Sequence, residues 1–247
     1  MKIKWVAALI LLSAANGLFA FESMGPSTPT HEGKQASIAI EYSWSEVDIQ
    51  VDGFGIGSFI MKDAKMNKTH AKLSVSVTED LELFFRSGIG DLKGESGERS
   101  DEGLLLGGGF KLAIVRGSAF DWGVMAQTGW GKFNFDPQVF EIEGIPVNLK
   151  EQVTFHEVQV ATGPVIPLME NVVLYGGPFL HFITGTDAVQ GSFGGSSIDE
   201  DIDLNEDKVF GGYIGTLIQL NKETNLIVEF QATGSGKGIA ASLQYKF

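Results

Sequence analysis

The chain has 247 residues, with 18 Lys and Arg against 31 Asp and Glu, 32 Gly, 18 Phe and no Cys. A formal charge of −13 speaks against nucleic acid as a partner, because phosphate recognition needs clustered Lys and Arg. The lack of Cys removes disulfides, thiol nucleophiles and Cys-type zinc sites together, and a composition of 20% charged and 11% aromatic residues excludes a disordered chain.

Lys2 and Lys4, the apolar run Trp5–Ala15 and the small residues after it have the three-part layout of a secretory signal peptide, expected over residues 1–20. The run is too short to cross a ~30 Å hydrocarbon core as a helix. Cleavage is expected after Ala20, with Ala15 and Gly17 as alternatives, and removal of two lysines takes the formal charge from −13 to −15. With no Cys to follow, a lipid anchor is not expected. Residues 21–35 (FESMGPSTPTHEGKQ) have two prolines and no periodicity, and read as a flexible leader.

From Ala36 the sequence alternates with period two, the mark of strands with unlike faces. Ile38, Ile40, Tyr42 and Trp44 alternate with Ala39, Glu41, Ser43 and Ser45. Further strands are expected near 66–77, 81–90, 104–115, 121–134, 152–167, 172–185, 208–220, 225–233 and 237–247. In LLLGGGFKLAIV and VVLYGGPFLHFIT apolar residues fall on both faces, and glycine relieves crowding in a curved sheet. This makes ten strands, with eight as the alternative count.

The connections alternate in length. Short polar links fall at 78–80, 116–120, 168–171 and 221–225. Longer Gly- and acid-rich segments fall at 46–66, 90–103, 134–151 and 186–207, and a short link, 234–238, joins the last pair. An even strand number with short turns at one end and long loops at the other is the layout of a single antiparallel barrel crossing a bacterial outer membrane, here over residues 36–247. Both termini, and the leader, then lie on the periplasmic side.

In such a barrel the apolar face meets lipid. Glu41, Lys72, Glu82, Arg86, Lys111, Glu157 and Glu229 line the lumen, paired with one another because unpaired buried charge is costly. A narrow water path is the alternative, since so few strands enclose little more than side chains. A soluble β-sandwich, with the apolar face inside, shows the same alternation.

The sequence GIAASLQYKF ends on Phe247, with Ile239, Ala241, Leu243 and Tyr245 at every second position before it. This resembles the terminal strand signal of Gram-negative outer-membrane proteins. VTEDLELFFRSGIG and VLYGGPFLHF are similar to strand segments of small OmpA-type and porin-like barrels. The resemblance implies an outer-membrane location and insertion by the barrel-assembly machinery. Contact with outer-membrane lipid and lipopolysaccharide is expected, and a closed small barrel is expected to be monomeric.

The acidic run SIDEDIDLNED offers Asp199, Asp201 and Asp203 as weak candidates for a hard cation. Leu204 stands where an EF-hand loop begun at Asp199 needs Gly, and Phe210 where it needs Glu, so a solvated acidic loop is expected. The four histidines, His31, His70, His156 and His181, fit no HExxH pattern. Omptin-type proteases pair Asp with His, but no Asp-x-His occurs. The His-x-Ser of barrel lipid A deacylases is absent too. No enzyme and no cofactor are expected. The expectation is a structural or surface-interaction role through acidic extracellular loops. A narrow porin, an outer-membrane hydrolase and a soluble secreted binding protein are the alternatives.

Overall fold

In the computed structural model, described for residues 21–30, 35–52, 58–93, 99–142, 145–193, 195–206 and 208–247, the described residues form one antiparallel sheet and no helix. The signal segment, its cleavage sites and His31 lie outside these residues. The strands are β1 (Ala36–Asp52), β2 (Ser58–Ser76), β3 (Leu81–Lys93), β4 (Gly103–Val115), β5 (Asp121–Asn134), β6 (Gln138–Ile142), β7 (Ile145–Met169), β8 (Val172–Phe193), β9 (Ser196–Glu206), β10 (Phe210–Gln219), β11 (Thr224–Thr233) and β12 (Gly236–Lys246). Ten of them close a ring in the order β1-β2-β3-β4-β5-β7-β8-β10-β11-β12. The seam runs from Ser37↔Lys246 to Val47↔Gly236, so no strand edge is left open there.

Short turns gather at one end with the C-terminus. Thr78 Oγ1 accepts the amides of Asp80 and Leu81, and Asn221 Oδ1 those of Glu223 and Thr224. At the other end the sheet rises past the ring. β6 folds onto the start of β7, and β9 folds back along β8 and reaches the end of β1 at Asp52↔Asp203. Residues 134–151 and 186–207, expected as loops, are therefore largely strand. Val147, Leu149 and Val153, like Ile202 and Leu204, bury one face, while the acids and amides between them hide the period.

Along β1 the even-numbered residues face outward throughout, but the chemistry of the two faces exchanges. Up to Trp44 the outward residues are apolar: Ile40 is 66% exposed and Tyr42 49%, while Glu41, Ser43 and Ser45 are buried. Beyond Trp44 the apolar set turns inward as Val47, Ile49 and Val51, and Glu46, Asp48, Gln50 and Asp52 point out. β2 repeats the exchange: Leu73 and Val75 face out over buried Lys68, His70 and Lys72, then Met66 and Ala64 turn in. On β7, Val158 and Val160 face out over Glu157 and Gln159, then Val153, Leu149 and Val147 turn in.

The barrel thus has two storeys. The lower one, up to about Trp44 on β1 and Ile183 on β8, is apolar outside and polar inside. The upper one has a dry core, with Phe133 stacked on Phe155 at 5.9 Å, and a polar exterior. An apolar belt of this extent stands stably only in lipid.

Candidate functional site

Within the lower lumen lies a strap, residues 21–30, which the sequence led us to expect as a free leader. It is almost wholly buried. Pro26 and Pro29 carry no amide to satisfy, and the barrel wall meets several of its other polar groups. Consecutive amides of Met24 and Gly25 donate to the two oxygens of Glu229, at 2.9 and 2.8 Å. Gly25 supplies the φ of +69° that aims both amides at one carboxylate, a backbone nest for an anion. Gln231 Nε2 donates to the Glu22 carbonyl at 2.7 Å, and Arg86 Nη2 to that of Ser23. Farther along, Ser27 Oγ donates to the Gly163 carbonyl at 2.9 Å, and the Thr30 amide to Glu82 at 2.9 Å. At its start Phe21 lies edge-on to Phe179, with ring centroids 5.9 Å apart.

Arg86 is the hub of the charges around it. Its Nε meets Glu41 at 2.6 Å, and its Nη1 meets Glu22 of the strap at 3.0 Å and Gln127 at 2.9 Å. Lys72 meets Glu41 at 3.3 Å, and Lys68 meets Glu157 at 2.6 Å and Glu22 at 3.7 Å. His181 bridges Glu157 at 2.9 Å and Glu206 at 2.7 Å. Lys68, Lys72, Arg86 and Lys111 all stand on β2–β4. The strap offers that wall a carboxylate, and offers Glu229 on β11 two amides.

Glu41, Lys72, Glu82, Arg86, Lys111, Glu157 and Glu229 are all buried within the ring. Lys68, His70 and His181 were not read as lumen residues, although they share inward parity with their strand neighbours, and Glu206 falls in a segment expected as loop. Glu22 carried no such signal.

Asp199, Asp201 and Asp203 are exposed on the outward face of β9, with Gln190 Nε2 donating to Asp199 at 3.3 Å. They belong to a strand, not to the loop expected there. Among the described residues no group of three His, Asp or Glu is placed to hold a metal ion. Ile239, Ala241, Leu243 and Tyr245 line the outward face of β12, and Phe247 follows exposed at its end.

Asp187 is a different case. It points into the upper storey, above the belt, between Val153 and Ile202 in the ladder. Burial in this apolar layer pushes its carboxyl up to about 7. The folded chain therefore holds this proton to higher pH than the unfolded chain does, and stability falls as pH rises from about 4 to 7. Asp187→Asn is expected to match the parent near pH 4 and to exceed it by about 4 kcal/mol at pH 8, read by urea unfolding. A gap that does not change with pH would contradict this.

A ring with no open edge at belt depth, an apolar outside, a polar inside and short turns at one end is the build of an outer-membrane barrel, and that is where this chain resides. No protein-family model matches the sequence, and no curated protein matches it. Among solved structures it is similar to the translocator domain of the autotransporter NalP from Neisseria meningitidis, at 12% identity over 88% of this chain and 90% of that one, with a TM-score of 0.49. It is also similar to the outer membrane protein OprG from Pseudomonas aeruginosa, at 11% identity over 88% and 97%, with a TM-score of 0.42. The outer membrane protease OmpT from Escherichia coli aligns at 9% identity over 92% and 99%, with a TM-score of 0.41. The fold assignment stands on the closed ladder and the two faces described above.

Proposed function

We propose that the protein is a sealed scaffold of the outer membrane that presents its acidic upper storey as an interaction surface. The observation that carries this reading is the strap pinned to Glu229 and Arg86 across the lower lumen. Above it the upper core is mainly apolar, with Glu151, Asp187 and Glu206 buried among its aliphatic and aromatic side chains. The upper exterior carries Asp48, Asp52, Asp199, Asp201 and Asp203 on neighbouring strands, a field suited to a basic partner. The reading assigns no catalysis, because His181 is buried in the wall with both ring nitrogens engaged. Ile239, Ala241, Leu243, Tyr245 and Phe247 serve as the signal to the barrel-assembly machinery, and the barrel works as a monomer.

A narrow porin is the second reading, favoured by the cations of β2–β4 facing acids across the lower lumen. Planar-bilayer recording separates the two. The purified wild-type chain is expected to give no discrete openings above the detergent control. Persistent openings, closed by salt-independent block of the lumen, would replace the scaffold with the porin.

A further inference from the structure

We propose that the outer wall of β1–β3 and β12, at the upper rim of the belt, is a seat for the phosphate of a membrane lipid headgroup. Four cations gather there in a chain that carries a large net negative charge. In the outward row just above the belt, Lys237 stands opposite Glu46, Glu46 opposite Lys65, and Lys65 opposite Lys93, which bridges in turn to Arg99. Glu46 is shared, 3.1 Å from Lys237 and 3.7 Å from Lys65. Two lysines directly opposite each other on one sheet face are destabilising unless an anion lies between them.

Below this row is a recess of about 290 Å³ on the same wall. Its upper lip is polar and carries two carboxylates, Asp91 and Glu102, beside Arg99: Arg99 Nε meets Asp91 at 2.8 Å, Asn67 Nδ2 donates to Asp91 at 3.2 Å, and Tyr42 OH donates to Asn67 at 2.9 Å. Its lower side is apolar, with Ile89 and, beside it, Leu104 exposed in the belt. A phosphate set against Lys65, Lys93 and Arg99 would leave its acyl chains running down that wall. This is the geometry of a headgroup site, where the cations meet the phosphate by charge-assisted hydrogen bonds and the belt takes the chains. The inference rests on the belt lying in lipid and is independent of whether the lumen conducts.

Native mass spectrometry of the full chain released from detergent tests it, with phosphatidic acid as the probe and diacylglycerol of the same chains as the control. The wild type is expected to retain phosphatidic acid at least ~10-fold better than diacylglycerol, a difference within reach of two or three charge-assisted contacts. Lys65→Gln with Lys93→Gln and Arg99→Gln is expected to abolish that preference, while Lys222→Gln at the opposite end keeps it. Migration on gels with and without boiling reports whether each variant has folded. If the triple variant does not fold, Lys93→Gln alone, at an exposed side chain, is expected to lower the preference several-fold. Unchanged retention in folded variants would overturn the proposal, as would displacement of the lipid by millimolar inorganic phosphate, which would mark a free-anion site instead.

Discussion

Replacing Arg86 with alanine is expected to cost about 3–5 kcal/mol of folding free energy, the loss typical when one partner of a buried ion pair is removed. Arg86 is fully buried and holds Glu41 at 2.6 Å and Glu22 at 3.0 Å. Without it, among the described residues, the ion pairs left are Lys72 for Glu41, and for Glu22 Lys68 at 3.7 Å and the weaker approach of His70 at 4.0 Å. The loss comes from stranded carboxylates more than from a missing contact. Arg86→Met combined with Glu22→Gln is therefore expected to recover at least half of it, because Glu41 then keeps Lys72 and Lys68 keeps Glu157, and no carboxylate is stranded. Urea unfolding from lipid vesicles reads both variants. A single-variant loss below about 1 kcal/mol would mean that water already screens the lumen, which would favour the porin reading.

The second large effect tests the exchange of faces. Ile40 and Gln50 are both outward on β1, five alternations apart along one strand. Ile40→Arg places a charge in the apolar belt and is expected to cost about 2–4 kcal/mol, enough to block assembly. Gln50→Arg, on the same face but above the belt, is expected to fall within about 0.5 kcal/mol of the parent. Equal behaviour of the two in assembly assays would mean that the belt does not end near Trp44.

The strands and the ring were legible because period-two alternation survives wherever one face is apolar. Ile38, Ile40 and Tyr42 against Glu41 and Ser43 suffice to lay out β1. What hid the upper storey was composition. The acids and amides of 134–151 and 186–207 look like loop, although Val147 and Leu149, or Ile202 and Leu204, keep the strand period. The switch from Tyr42 and Trp44 outward to Val47 and Ile49 inward is visible in the sequence too. Reading it requires knowing that the solvent changes from lipid to water while the parity of the strand does not.

The strap was not legible at all. Its contacts with Glu229 join residues 205 positions apart, and a segment with two prolines and no period gives no local sign of where it docks. The inward charges of the wall were visible one strand at a time. Their pairing depends on which strands close the ring, and on the carboxylate that Glu22 brings into it.

The central claim, that one strand face passes from lipid to water as β1 rises, is open to direct measurement. The chain has no Cys, so single-cysteine variants along residues 37–52 take a spin label at one position only. In lipid vesicles, labels at 38, 40 and 42 should collide with dissolved oxygen and be shielded from a water-soluble nickel reagent, labels at 48, 50 and 52 should show the reverse, and labels at 41, 47 and 49 should be shielded from both. Nickel access at 38, 40 and 42 would contradict the account, because the apolar face would then stand in water.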